Sequence, residues 1–258
     1  MSFDLEKYYE RIGWRPSGDE TQAKILEYIQ YKHITSIPFE DLDAYLDVEI
    51  SLAPEDVFDK LVVRHRGGYC FEQNALLCSA LNAAGINTYG VLARVSMNGP
   101  FGAFTHRMNI AEADGQRFVA DVGFGGDCFT RPLRLVTDAV QSDGRNNYRI
   151  VKKESAVEYS VQIEKDGAFT DMLGFYDIPA LDVDFELGNF YTNHSPKSGF
   201  KMMVMCALPT DTGKITIYDK YATVLENGKE THYEVEGEER RKFLRERFGI
   251  NMDGVELK

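Results

Sequence analysis

The spacing of hydrophobic positions changes as the chain proceeds. Residues 1 to about 85 follow a helical period. Gln22–Lys32 carries Ile25, Leu26, Tyr28 and Ile29 at helical spacing. Pro54 suits the first turn of a second helix, with Val57, Phe58, Leu61 and Val62 on its inner face. A third helix is expected from Cys70, with Leu76, Leu77, Ala80, Leu81 and Ala84 as its stripe and Gly85 as its end. From about 86 to 190 the pattern shortens to β-like runs: Thr88–Val95, Thr105–Ala111, Arg117–Val122, Tyr148–Lys152 and Val157–Glu164. Turn dipeptides separate them, at Asn98-Gly99, Asp114-Gly115 and Asp166-Gly167. The last stretch is mixed. Lys201–Leu208, Lys214–Tyr218 and Ala222–Leu225 read as strands, and Asn227-Gly228 marks a hairpin. Glu238–Phe248 reads as an amphipathic helix with Phe243, Leu244 and Phe248 facing in. Helices, then strands, then a mixed tail predict an α+β fold.

Composition and charge narrow the class. The 258 residues are 43% hydrophobic and 27% charged, as in soluble globular proteins. The net charge of −12 opposes nonspecific binding to nucleic acid or to anionic membranes. It leaves room for an anionic cofactor in a local pocket. Cys70, Cys78, Cys128 and Cys206 include no C-x-x-C pair, which argues against zinc or thioredoxin-type chemistry. The first residues lack the basic start and apolar run of a signal peptide, and the run near Met202–Leu208 is far too short to span a bilayer. A reducing, cytoplasmic setting is expected, in which a free thiol stays reactive.

Two segments carry candidate chemistry. In Arg66-Gly67-Gly68-Tyr69-Cys70-Phe71-Glu72, two glycines allow a tight, close-approaching backbone just before a cysteine at a helix start. Free N–H groups and the positive dipole end favour a thiolate there and could stabilise an oxyanion. Cys78, mid-helix among Leu77, Ala80 and Leu81, reads as core by contrast. The second segment is a hairpin around Asp114-Gly115. If those two residues form the whole turn, 113 pairs with 116 and partner numbers sum to 229. His106 then faces Gly123, and Asp121 lies one diagonal step away on the same face. A three-residue loop would put them on opposite faces. In the first register Asp121 orients His106, and His106 serves Cys70 as base and acid. Each residue alone also has a plain structural reading.

These segments resemble the arylamine N-acetyltransferase family, in its bacterial form. The similarity runs through Tyr9-Glu10-Arg11-Ile12-Gly13, Pro38-Phe39-Glu40-Asp41-Leu42, the Arg66–Glu72 motif, Thr105-His106 with Asn109 and Ile110, and Asp121-Val122-Gly123-Phe124-Gly125. It continues through Asn189-Phe190-Tyr191-Thr192 to Ser195-Pro196-Lys197-Ser198, covering roughly residues 5 to 200. Asp41 stands where the family pattern has Asn. The resemblance implies a helical bundle over 1–85 carrying the nucleophile, a central antiparallel β-barrel over 86–190 carrying His and Asp, and an α/β lid over 191–258. It also implies a core like that of cysteine proteinases and transglutaminases. The implied reaction is ping-pong: Cys70 takes acetyl from acetyl-CoA as a thioester and passes it to an arylamine or arylhydrazine, a role in xenobiotic metabolism. No metal is implied.

By the same resemblance Gly125 and Gly126, Gly102 and Ala103, and Tyr191 and Ser198 lie near the cofactor. Phe39, Thr105 and Phe124 line the acceptor pocket. Glu40 and Glu72 read as structural, pairing with Arg11 or Arg66. His65 sits in a basic turn and is not the expected base, while His33, His194 and His232 are expected at the surface. The acidic runs Asp182–Glu186 and Glu234–Glu239 read as solvated faces. Expected partners are small molecules only, with no nucleic acid or membrane, in a monomer or homodimer. The competing readings are a transferase or amide synthase using another acyl group, a Cys-His-Asp hydrolase, and a non-catalytic binder of CoA or an amine.

Overall fold

The computed structural model describes residues 3–96 and 99–252. The helices are α1 (Leu5–Ile12), α2 (Gln22–Ser36), α3 (Leu42–Tyr45), α4 (Pro54–Phe58), α5 (Cys70–Ala83), α6 (Asp182–His194) and α7 (Gly237–Phe243). The strands begin with β1 (Phe39–Glu40), β2 (Asn87–Val95), β3 (Phe104–Ala113), β4 (Gln116–Ala120), β5 (Leu133–Arg134), β6 (Gln141–Ser142) and β7 (Asn147–Lys152). They continue with β8 (Tyr159–Lys165), β9 (Ala168–Phe175), β10 (Met205–Thr210), β11 (Gly213–Tyr218), β12 (Tyr221–Glu226) and β13 (Lys229–Glu234). Wider helical turns extend α4 over Asp59–Val63 and α7 over Leu244–Phe248. Among the described residues no helix is long and apolar enough to cross a membrane.

Local chemistry accounts for the bundle. Asp4 and Thr21 cap α1 and α2 by accepting the N–H groups of Lys7 and Lys24. Tyr8, Ile12, Leu26, Ile29, Leu61, Leu77 and Leu81 form its core. The expected helix from Cys70 is present, and Gly85 follows it in the left-handed region at φ 82°. His33 is a correction. It lies four residues after Ile29 and seven after Leu26, on the buried face of α2, and is fully buried. Tyr8 Oη and Gln73 Oε1 meet its two ring nitrogens at 2.8 and 2.7 Å. Its polarity predicted exposure, but two internal partners remove the need for water.

The strand-rich segment forms an antiparallel eight-stranded sheet in the order β5-β4-β3-β2-β9-β8-β7-β6, curled into a near-closed barrel. Val91, Met108, Ile110, Tyr148, Val161 and Phe175 fill it. Asp114 and Gly115 both have positive φ (49° and 72°), so they make the two-residue turn, and Ala113 pairs with Gln116. The register in which numbers sum to 229 therefore holds, through Asn109 and Ala120. A second sheet, β1-β10-β11-β12-β13, packs with α7 over a separate core that includes Val204, Ile217, Phe243 and Leu244.

Several boundaries move. The run expected as a strand over Lys201–Leu208 begins as a 3-10 turn at Gly199–Lys201, and the strand starts only at Met205. The helix expected over Glu238–Phe248 changes to a wider turn after Phe243. β9 and β13 complete hairpins whose turns are legible in the sequence; β13, Lys-Glu-Thr-His-Tyr-Glu, is too polar to stand out as a strand. Of the expected turn Asn98-Gly99, Asn98 lies outside the described residues. The division expected after residue 190 falls inside α6, whose buried face includes Phe185, Gly188, Asn189 and Thr192.

His33 is held neutral. Burial, aided by the nearby Arg11 charge, pushes its pKa down to about 4 despite the Gln73 contact. Below pH 6.5 the unfolded chain binds a proton that the folded chain refuses, so stability falls as pH drops from about 6.5 towards 4. Urea unfolding at pH 7 and 4.5 should show a loss about 2 kcal/mol smaller in His33→Gln than in the parent chain.

Candidate active site

The Gly67-Gly68 pair is needed for close approach rather than for unusual dihedral angles. A Cβ on Gly67 would sit 2.2 Å from the Pro38 carbonyl oxygen, and one on Gly68 would sit 2.7 Å from Glu72 Oε2. The Pro38–Glu40 segment lies against them, with the Glu40 N–H donating to the Gly68 carbonyl at 3.1 Å. A buried charge cluster braces this loop. Arg66 binds Glu40 and Asp43, and Lys60 binds Asp43 at 2.6 Å and Glu72 at 2.7 Å. Glu72 also accepts the Tyr69 N–H at the start of α5. The expected Glu40–Arg66 pair is present, but Arg11 binds neither glutamate. It donates to the carbonyls of Leu61 and Ser36, fastening α1 to its neighbours.

Cys70 opens α5 at the floor of a cavity, and β3 brings His106 over it. His106 Nε2 lies 2.6 Å from Asp121 Oδ2, and its ring neighbours the Cys70 sulfur, which donates to the Thr105 carbonyl at 3.7 Å. Asp121 is fully buried. Its other oxygen accepts from Asn74 Nδ2 and from the Gly123 N–H, each at 2.8 Å. Burial alone would lower the His106 pKa, but the Asp121 carboxylate and the Cys70 sulfur outweigh it and push the value up to about 10. The imidazole is therefore cationic at neutral pH. Gly123 has no room for a side chain, since a Cβ would lie 2.6 Å from the Cys70 Cα. That contact seats the end of the hairpin directly on the helix start.

Asn74 was not singled out in the sequence. It lies one helical turn after Cys70, on the same side of α5, and this spacing is the signal that could have found it. Its Nδ2 donates to Asp121 and, at 2.6 Å, to the Arg107 carbonyl. Its Oδ1 accepts the Val122 N–H at 3.1 Å. One buried side chain thus ties the helix to both strands. Tyr69 Oη and Asn189 similarly join the loop before Cys70 to α6.

The cavity above Cys70 and His106 measures about 600 Å³. Phe39, Thr105, Phe124, Gly125, Gly126, Tyr191 and Ser198 all line it. Gly102 and Ala103 do not. Gly102 pairs with Val95 and Arg94 in the turn before β3, outside the lining. A larger cavity of about 860 Å³ lies against the opposite side of α5, between α6 and residues 49–57, and contains none of Cys70, His106 and Asp121. Cys78 opens into it. The core position expected for Cys78 is corrected to a half-buried one beside Arg107, because that side of α5 faces the cavity rather than packed side chains. Cys128 and Cys206 are buried, and burial pushes both thiols well up. His194 and His232 are exposed, as expected, and so is His65.

The family model for N-acetyltransferases matches residues 23–257. The chain belongs to the arylamine N-acetyltransferase family. It is 35% identical over 227 residues to the arylamine N-acetyltransferase of Escherichia coli K12, covering 87% of this chain and 80% of that one. The structure of the Salmonella typhimurium arylamine N-acetyltransferase superposes with a TM-score of 0.90 at 30% identity, covering 98% and 93% of the two chains. The Mycobacterium marinum enzyme in complex with CoA superposes with a TM-score of 0.87 at 28% identity, covering 96% and 93%. Membership makes the protein an acyltransferase.

Asn74→Ala should lower kcat/KM for acetyl transfer by about a hundredfold, because it frees Asp121 and the strand beneath His106. An unchanged rate in a folded variant would deny it that role. Asp41, at the Asn position of the family pattern, is buried, and its Oδ1 accepts the Met205 N–H at 2.8 Å. Its Oδ2 has no hydrogen-bond partner. Burial pushes its carboxyl well up, Met205 opposes, and Glu40 adds to the rise. The folded chain thus holds a proton that the unfolded chain releases near pH 4, and stability falls as pH rises above that point. Asp41→Asn should flatten the decline, read as a smaller drop in the urea midpoint between pH 5 and pH 8.

Proposed function

We propose that the protein transfers acetyl from acetyl-CoA to the nitrogen of arylamines or arylhydrazines, through a thioester on Cys70. The observation that supports this most strongly is the placing of His106 between the Cys70 sulfur and the buried Asp121 carboxylate, at the closed end of a cavity.

Cys70 attacks the acetyl carbonyl as a thiolate, paired with the His106 imidazolium. Sulfur–carbon bond formation gives a tetrahedral oxyanion, and the backbone N–H groups at the start of α5 are the nearest fixed dipoles to receive it. The intermediate collapses with cleavage of the bond to the CoA sulfur, which takes the His106 proton. His106 is now neutral and acts as base for the second half. An amine nitrogen attacks the acetyl-Cys70 carbonyl and gives its proton to His106, and the Cys70 thiolate leaves. The ion pair is restored, and no net charge is gained or lost by the site. Asp121 keeps Nε2 engaged in both halves, so Nδ1 always faces the sulfur.

The cavity suits this sequence. Phe39, Phe124, Phe200, Met172 and Met205 make its walls apolar, and an apolar wall slows hydrolysis of the thioester while accepting an aromatic ring. Exchange between two thioesters is nearly isoenergetic, so the demand on the protein is orientation and charge placement rather than driving force.

Mixing the protein with acetyl-CoA and no acceptor should add one acetyl group to the intact mass. Peptide mapping should place it on Cys70, and an aromatic hydrazine should remove it. Absence of the adduct with acetyl-CoA, together with labelling by a different acyl thioester, would shift the reading to another acyl donor.

A further inference from the structure

The chain carries a net charge of −12, yet three lysines line the cavity: Lys165, Lys197 and Lys214. Two of them converge on one carboxylate. Asp127 Oδ1 lies 2.7 Å from Lys214 Nζ, and Oδ2 lies 3.0 Å from Lys165 Nζ. Three separate elements meet there. Lys165 ends β8 in the barrel, Lys214 is on β11 of the second sheet, and Asp127 follows Gly125-Gly126 after β4. Burial would raise the Asp127 carboxyl, but Lys214 and Lys165 outweigh it and hold the group below its usual value.

The other acid on the cavity lining, Asp171, is already engaged by Lys153, Ser160 and Gln162. Lys197 makes no ion pair among the described residues. The lysine side of the cavity therefore carries an excess of positive charge that Asp127 only partly neutralises. Gly125 and Gly126, both at positive φ, border it, and a Cβ on Gly126 would meet open space. Part-exposed ammonium groups beside open glycine backbone have the makings of an anion site, even though Asp127 also bridges the two sheets through them.

We propose that Lys165 and Lys214 grip phosphate groups of the acyl donor, and that Asp127 occupies the place of that anion while the donor is absent. The assignment rests on acetyl-CoA being the donor. Acetyl-CoA carries a pyrophosphate and a ribose phosphate far from its thioester, so charge at the cavity mouth reads the carrier while Cys70 reads the acyl group. Remote contacts of this kind raise the local concentration and orient the reacting end without touching it. Asp127 keeps the two lysines pointing into the site and gives way to a more highly charged group.

The test compares donors with and without phosphate. In Lys165→Gln/Lys214→Gln, the calorimetric Kd for CoA should rise about tenfold, each lysine contributing the two- to fivefold of a part-exposed ion pair. The preference for acetyl-CoA over S-acetylpantetheine, as a ratio of kcat/KM values, should fall by a similar factor. Asp127→Asn should tighten CoA about two- to threefold. Unchanged CoA affinity in the double variant, or an equal loss with S-acetylpantetheine, would overturn the lysine assignment alone. Weaker CoA binding in Asp127→Asn would overturn the role of that carboxylate. Failure of the parent chain to bind CoA, with Cys70 still acetylated by p-nitrophenyl acetate, would overturn the donor itself and this assignment with it.

Discussion

A cation and an anion sit side by side in the interior of this protein, and most of the surrounding structure serves to keep them there. His106 and Asp121 are 3% and 0% exposed, so each has given up water. Withdrawing a charge from water costs several kcal/mol per ion, and a close opposite charge offsets that only with good geometry and with the remaining lone pairs satisfied. Here the separation is 2.6 Å, and the second Asp121 oxygen accepts from Asn74 and Gly123. A pair supported in this way holds the imidazole in one orientation and one charge state. That fixed charge is what a neighbouring sulfur can use.

The pair dictates the local architecture. Its two residues come from one hairpin, so the two-residue turn at Asp114-Gly115 sets their register some way from the site itself. The sulfur comes from α5, and Gly123 must lack a side chain for hairpin and helix to touch. The loop before Cys70 is held by the buried Arg66, Glu40, Asp43, Lys60 and Glu72 cluster. Removing one member would leave an unpaired buried charge, which is why such clusters act as rigid braces even where they add little net stability. The second sheet closes the cavity on its far side through β10 and β11, and Asp127 links it to the barrel through Lys214 and Lys165.

Much of this was legible because short-range rules governed it. The Asp-Gly turn and the period-2 runs around it placed Asp121 near His106, and the helix starting at Cys70 came from glycines and an apolar stripe. Other features depended on long-range packing. His33 continues the Leu26–Ile29 stripe of α2, but its polarity masked that spacing; it is buried because Tyr8 and Gln73 meet both its nitrogens, unlike the exposed His194 and His232. α6 was missed because its apolar residues fall on both sides: Phe185 is buried while Val183, Leu187 and Phe190 are exposed, which blurs the period. Cys78 read as core because its sequence neighbours are apolar, whereas a helix side is defined by what packs across from it. Asn74 and Lys60 gain their roles only from partners on other elements, and so do Lys165 and Lys214.

If Asp121 holds His106 as an imidazolium, an NMR titration of the His106 ring will read that charge state. The ring should stay protonated through pH 8, with its pKa pushed up to about 10, and should return towards ordinary histidine behaviour in Asp121→Asn. A parent-chain His106 that titrates near 6.5, or one unaffected by Asp121→Asn, would contradict it.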